Sequence, residues 1–292
     1  MQNDIIDLVK EKRCKMSKGH RAVADYIVEH FDSAAYMTAQ NLGAAAGVSE
    51  STVVRFASEL GLEGYPQLQQ RVQEAARHRL TSVQRIKLSE TRLGDDIPGS
   101  VLTSDMEKIR STMEQLSRKS FENAMDAIDG AKNIYIMGVR SSAALAQFLY
   151  YYLDIIYDNV KFIRSSGGSE IFEQLMKVGE NDVMIAISFP RYSSNIAKAA
   201  DFAASAGAKV IAITDSPASP IAVKAYEVLT ARSDMASFAD SLVAPLSIIN
   251  AIIASAANRR QNELSATLGR LEDVWDEYNV YGSARRDSED EQ

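Results

Sequence analysis

Residues 38–62, TAQNLGAAAGVSESTVVRFASELGL, decide how the first part of the chain folds. Thr38 suits the N-cap of a short helix whose apolar side reads Leu42, Ala45 and Ala46. Gly47 supplies a residue that takes φ > 0 at a sharp turn, and Val48 plugs the corner. Ser49 is placed to cap a second helix, its hydroxyl accepting from an amide two or three residues on. In that helix Val53, Phe56, Ala57 and Leu60 recur at i, i+3, i+4 and i+7, and Gly61 ends it. Glu50, Ser51, Thr52, Arg55 and Ser58 are left outside. A helix, a Gly turn and a second helix with a short polar outer face is the helix-turn-helix pattern. Its second helix enters the DNA major groove N-terminal end first, where Arg55 would reach a guanine edge or a phosphate. All-α domains that bind no DNA also use such helix pairs, so spacing alone leaves both readings open.

The chain has 292 residues, enough for two ordinary domains, with 46% hydrophobic and 24% charged residues, a globular composition. No apolar run approaches the roughly 20 residues that span a bilayer, so no membrane partner is expected. The opening MQNDIIDLVKEKRC is too charged for a secretory signal, and Cys14, the single cysteine, has no partner for an internal disulfide. The cytoplasm is the expected location. The net charge of −7 is unevenly spread: residues 1–87 hold 12 Lys+Arg and 10 Asp+Glu, the remainder 20 and 29. A slightly basic head on an acidic body is compatible with a head that binds nucleic acid. All three histidines, His20, His30 and His78, lie in the head. A body without His or Cys excludes His/Cys metal clusters, Ser-His-Asp triads and thiol nucleophiles, so no metal site is expected.

Asn3 is placed to cap an opening helix carrying Ile5, Ile6, Leu8 and Val9. Met16 and Ser17 begin the next, with Val23, Tyr26, Ile27 and Phe31 inward, and Pro66 sits in the first turn of another. Roughly five helices are predicted in residues 1–78. Lys18, His20, Arg21 and Tyr65 are candidate phosphate contacts beside the recognition helix, or else solvated surface; His30 and Cys14 read as structural. Residues 79–104 hold two Gly, one Pro and seven Ser/Thr. They read as a linker, helical in part up to Leu88, broken around 94–99, with helix resuming at Ser104-Asp105 and Ile109, Met113 and Leu116 on one face.

From Asn133 the rhythm is strand, loop, helix. NIYIM, NVKFI, DVMIAIS, KVIAIT and EVLTAR are strands; helices are expected at 141–157, up to Lys177, and over 193–206, 238–257 and 261–278. Apolar strands alternating with helices predict a five-stranded parallel sheet with helices on both faces. Ligands then sit at the carboxyl ends of the strands. Those ends are rich in hydroxyls: Gly138-Val139-Arg140-Ser141-Ser142 after the first strand, and Ser188-Phe189-Pro190-Arg191-Tyr192-Ser193-Ser194-Asn195 after the third. Each enters a helix, whose N-terminus suits a phosphate, and Arg140 and Arg191 would neutralise it or clasp a carboxylate. The bland reading of Ser141 and Ser193 is helix capping. No G-x-G-x-x-G and no GK[ST] occurs there, so neither a dinucleotide nor a nucleoside triphosphate is expected, and no cofactor.

The head segment NLGAAAGVSESTVVRFASELGLEGYPQLQ and the body segment SFPRYS together resemble the RpiR/MurR family of bacterial transcriptional regulators, over about residues 1–258. The resemblance implies an all-α helix-turn-helix head joined to an α/β sugar isomerase (SIS) domain that senses a phosphosugar. It implies a homodimer or homotetramer on a double-stranded DNA operator, controlling carbohydrate-metabolism or cell-wall-recycling genes. The divisions expected are 1–78 for the head, 79–104 for the linker, 105–284 for the SIS domain and 285–292 for a disordered tail. DNA contacts would come from Ser49, Glu50, Ser51, Thr52, Arg55, Lys18, His20 and Tyr65. By the resemblance Ser141, Ser142, Ser188 and Ser193 contact the phosphate, with Arg140, Arg191 and Ser194 completing the effector site. SIS enzymes often carry S-x-S-G-x-T after the third strand; here Pro190 stands at the second Ser, Arg191 at the Gly and Ser193 at the Thr. The competing reading is a sugar-phosphate isomerase with a helical appendage, with Glu170, Glu173 and Glu227 as candidate bases and no His partner. A third is a ligand-free dimer scaffold. No catalytic residue is expected.

Overall fold

The computed structural model describes residues 5–79, 81, 83–86, 94–164, 168–235 and 237–280. The expectations for Asn3, the helix end at Leu88 and the tail lie outside the described residues. The head is built from α1 (Ile5–Lys12), α2 (Lys18–Glu29), α3 (Phe31–Ala34), α4 (Ala39–Ala46), α5 (Glu50–Glu59) and α6 (Tyr65–Arg79). The extra helix is α3, four residues long and too short to show a period. Ser17 caps α2, accepting from the His20 amide at 3.4 Å, and Thr38 caps α4, accepting from Asn41 at 3.2 Å. Val23, Ile27, Leu42, Val53, Phe56 and Leu68 are buried in one core.

Two details depart from the sequence reading. Ala45 is exposed, and the buried side of α4 is Ala39, Leu42 and Gly43. A Cβ on Gly43 would stand 2.9 Å from the Val48 carbonyl and 3.2 Å from the Glu50 nitrogen, too close for any side chain. The second is where helix resumes within residues 79–104. Residues 83–86 are helical, and buried Arg85 pairs with Asp240 at 2.8 Å. The next helix, α7 (Ile97–Gln115), begins at Ile97 rather than Ser104. Asp96 accepts from the Gly99 amide at 3.0 Å, and Pro98 sits in the first turn, where its missing N–H does no harm.

The apolar face of α7 is turned outward. Lys108 and Thr112 are buried, and Thr112 Oγ1 accepts from the Arg232 amide at 3.0 Å. Leu102, Met106, Ile109 and Met113 are 64, 62, 40 and 70% exposed. Their spacing of four, three and four residues is that of a coiled-coil seam.

The chain divides into two compact units. The first holds the head together with Phe189–Tyr192 and Ser233–Ser241; the second holds the sheet and its helices. The second runs α8 (Arg118–Asp129), β1 (Ile134–Gly138), α9 (Ser142–Ile156), β2 (Val160–Phe162), α10 (Gly168–Leu175), β3 (Val183–Ile187), α11 (Ser194–Ser205), β4 (Lys209–Thr214), β5 (Glu227–Thr230), α12 (Val243–Arg259) and α13 (Gln261–Glu277). The helix expected from Phe238 starts later, at Val243; before it residues 237–239 form bends and Met235 and Asp240 an antiparallel bridge.

All five strands are parallel, in the order β2-β1-β3-β4-β5. Side chains alternate between the faces. Tyr135, Met137, Met184, Ala186, Val210 and Ala212 join a core with Ile171 and Leu175 of α10 and Ile196, Ala199 and Ala203 of α11. The alanines of α11 let it lie close on the sheet. The intervening residues, such as Ile134, Ile136, Ile185 and Ile213, are buried on the other face, where α9 packs on β1 and on α12. Arg259 of α12 donates to Asp126 at 2.7 Å, Asp129 at 2.9 Å and Glu122 at 2.6 Å, tying α12 to α8. Tyr157 donates to Asp129 at 2.5 Å, and its burial holds the hydroxyl well above the usual tyrosine range. In the order 2-1-3-4-5 the chain reverses direction of winding between β1 and β3, which places a crevice at their carboxyl ends.

Candidate functional site

Two sites emerge, one in each unit. In the head, α4 and α5 meet through a turn closed by Gly47 at φ 70° and a 2.8 Å bond from the Val48 amide to the Gly43 carbonyl. Val53, Phe56 and Ala57 are fully buried, which fixes the rotation of α5. That rotation leaves Ser49, Glu50, Ser51, Arg55 and Ser58 exposed and Thr52 half-buried. Ser49 is the N-cap residue, but its hydroxyl makes no cap bond; it pairs with the hydroxyls of Ser51 at 3.0 Å and Thr52 at 2.9 Å. Arg55 Nε donates to the Ser51 carbonyl at 3.2 Å, so its side chain lies along the outer face of α5. Lys18, the first residue of α2, is exposed.

His20 and Tyr65 do not stand as the sequence reading placed them. The His20 ring is engaged by the Glu59 carboxylate and packs edge-on to Phe56 at 6.0 Å, so it braces α2 against α5. Tyr65 is buried, and its hydroxyl donates to the Met37 carbonyl at 2.6 Å, which leaves nothing to offer a phosphate. Burial pushes that hydroxyl up to about 12. Arg21 Nε donates to the Met16 carbonyl at 2.9 Å. Cys14 and His30 are exposed, and His30 leans on Tyr26, ring centroids 4.6 Å apart.

In the second unit a cavity of about 390 Å³ opens at the carboxyl ends of β1, β2 and β3. It is lined by Gly138, Val139, Arg140, Ala143, Phe162, Ile163, Arg164, Ser193 and Asn195. Of the expected effector residues only Arg140 and Ser193 line it. Ser142 and Ser188 are buried, and neither they nor Ser141, Arg191 and Ser194 belong to the lining. The reason lies in the turns. The amides of Ser142, Ala143 and Ala144 donate within the chain to Val139, Arg140 and Ser141 at 3.1–3.3 Å, so the first turn of α9 is closed on itself. Ser193 caps α11, accepting from the Asn195 amide at 3.3 Å, while Ser141 makes no cap bond. Sequence reasoning missed Arg164 and Asn195. The signal for Arg164 was its place directly after the second strand.

Gly138 allows α9 to approach: a Cβ there would lie 2.4 Å from the Ser142 carbonyl and 2.9 Å from the Ala146 Cβ. Arg140 follows at φ 54°, a left-handed conformation that costs a non-Gly residue about 1–2 kcal/mol. Arg191, in the other unit, has φ 56°. It stands where the S-x-S-G-x-T pattern has Gly, the residue that takes φ > 0 most freely. Strain of this kind gathers where a chain presents groups to ligands. Among the described residues neither Glu170, Glu173 nor Glu227 lines the cavity; Glu227 accepts from Asn123 at 2.6 Å on β5.

Comparison with known proteins matches residues 4–78 to the helix-turn-helix domain of the rpiR family and residues 127–255 to the SIS domain. The chain belongs to the RpiR family. The chain carries the helix-turn-helix part before the SIS part. The HTH-type transcriptional regulator HexR of Escherichia coli is 24% identical over 93% of this chain and 94% of its own. The bifunctional protein glk of Paraburkholderia xenovorans is 28% identical over 76% of this chain, which spans only 34% of that longer protein. The Vibrio vulnificus NanR protein, solved in complex with ManNAc-6P, shares the fold over 92% of this chain and 97% of its own, with TM-score 0.59 and 21% identity. No helix among the described residues of this RpiR-family chain is long and apolar enough to cross a membrane.

Proposed function

We propose that this RpiR-family regulator binds a double-stranded operator through α5 and a phosphosugar through the cavity at the strand ends, and that occupancy of the second changes affinity for the first. The observation that carries it is the pairing of an exposed, short-chained α5 with a cavity whose charged lining groups, among the described residues, are Arg140 and Arg164. A guanidinium beside hydroxyl and amide groups suits a phosphate dianion, and the fold is that of NanR, which was solved with a phosphosugar. Residues 1–78 serve the DNA and 105–284 the effector, in the cytoplasm, at genes of carbohydrate metabolism. The cavity binds without turnover: aldose–ketose interconversion needs a base beside the substrate, and among the described residues no carboxylate or imidazole lines it. Incubation with aldose and ketose phosphates tests that directly; turnover would restore the isomerase reading.

On the operator, Ser49, Glu50, Ser51, Thr52 and Arg55 face the groove and Lys18 a phosphate. Arg55→Ala should lower discrimination between operator and unrelated duplex by about 1–3 kcal/mol in fluorescence anisotropy titrations at fixed salt. Unchanged discrimination would move Arg55 to a backbone role.

The working form is a homodimer or homotetramer, supported by the outward seam of α7 and by α13, which buries none of its residues within this chain. Two copies laid antiparallel would match Leu102 with Met113 and Met106 with Ile109. Met106→Lys with Ile109→Lys should halve the mass by sedimentation velocity, with the circular dichroism of the fold retained. An unaltered mass would place the interface elsewhere.

A further inference from the structure

One apolar side chain on α5 has no place in the head core. Val53, Phe56 and Ala57 form the inner side of the helix, while Val54 is 39% exposed. Among the described residues of the head, 5–79, no other large apolar side chain is exposed. Val54 stands on the outer face, one turn from Ser51 before it and from Ser58 after it, both exposed and both short. Polar groups around it are engaged within the chain. The Ser51 hydroxyl pairs with that of Ser49 at 3.0 Å, and Arg55 Nε donates to the Ser51 carbonyl at 3.2 Å. Local stability does not account for a valine here. At an exposed helix position Val gains little from packing, and it favours helix less than Ala, Lys, Arg or Glu. Branching at Cβ does hold its methyl groups in essentially one rotamer, so they lose little freedom on meeting a partner.

Resting on the operator reading above, we infer that Val54 is a specificity-determining residue of α5 and that it reads the C5-methyl group of a thymine. In the major groove the base edges offer donors and acceptors, and the thymine methyl is the apolar group among them. Set against any other edge, Val54 would strip water from a donor or acceptor without replacing its hydrogen bond. Set against the methyl, it buries carbon on carbon and leaves nothing unsatisfied. The serines on either side let the helix approach closely enough for so short a side chain to reach the base, because neither extends past it. Arg55, the next residue on the same face, then reads a guanine or holds a phosphate beside that thymine. Each operator half-site therefore carries a thymine whose methyl group contributes to affinity.

The test uses a duplex selected by the full-length protein from a randomised library, and copies of it in which each thymine in turn is replaced by uracil. That change removes the methyl group and keeps both the base pair and the O4 acceptor. In anisotropy titrations at fixed salt, uracil at the contacted thymine should weaken binding about fourfold, the value of one buried methyl group. Val54→Ala should bind the thymine and uracil duplexes equally. Its melting temperature should match the parent's, because the position lies on the surface. A ratio of affinities between two duplexes is in any case not moved by a general loss of stability. A fourfold ratio that persists in Val54→Ala would overturn the inference, as would a selected site in which no uracil substitution weakens binding. Recovery of no preferred sequence from the library would overturn the operator reading itself.

Discussion

Gly138→Ala is expected to cost the sheet unit about 3 kcal/mol or more and to abolish its response to phosphosugars. The added methyl would stand 2.4 Å from the Ser142 carbonyl and 2.9 Å from the Ala146 Cβ. Neither neighbour is a flexible side-chain tip. Both belong to α9, which is anchored by buried Leu145, Leu149 and Leu153, so relief requires moving the helix. Overpacking in a rigid site costs about 1–3 kcal/mol and occasionally more, and a backbone obstacle places this case at the upper end. The displaced helix would carry the closed turn at residues 139–144 with it, and Arg140 would leave the cavity wall. Urea unfolding and a thermal-shift assay with glucose 6-phosphate measure the two consequences. Gly179→Ala is the control: a Cβ there meets nothing within 4 Å, so its stability should stay within about 0.5 kcal/mol of the parent. A Gly138→Ala protein as stable as that control would show that α9 does not press on β1.

Phe56→Ala should eliminate operator binding while leaving effector binding in place. Phe56 is fully buried in the head core, on the inner side of the helix whose outer side is proposed to face DNA. Truncation of a buried Phe costs about 3–5 kcal/mol. A helical head of this size holds only about 4–11 kcal/mol in all, so most of its margin goes. It would also remove the ring against which His20 packs, and with it the brace from α2 to α5. The sheet unit has a separate core, formed around Tyr135, Met184 and Ile196. Anisotropy with labelled operator should show binding weakened at least a hundredfold, while calorimetry with a phosphosugar gives an unchanged affinity. Operator affinity within threefold of the parent would mean that the recognition surface survives without its core. Loss of both activities would mean that the two units do not fold independently.

These experiments turn on features that were legible in the sequence to different degrees. The helix-turn-helix was plain, because Val53, Phe56, Ala57 and Leu60 follow a helical period and Gly47 stands where a left-handed residue is needed. The five strands were plain for a similar reason: short runs rich in Ile and Val, bounded by Gly, Asp and Ser, have few alternatives in an alternating α/β chain. Near helix ends the reading was weaker. Asp96 and Pro98 start α7 at Ile97, yet the two glycines around them look like a break until the capping bond is seen.

Periodicity, capping and turn chemistry are local, and local forces determined which residues form helix, strand and corner here, and hence the family of the chain. Which side chains share a space is settled by how those elements pack, and no spacing rule carries that. Tyr65 and His20 looked like groups for phosphate until packing committed one to Met37 and the other to Glu59. The apolar positions of α7 shared a face by spacing, and only packing shows that Lys108 and Thr112 take the inner side. The cavity gathered Arg164 rather than the serines because parallel strands bring the ends of β1, β2 and β3 together, residues far apart along the chain but adjacent across the sheet.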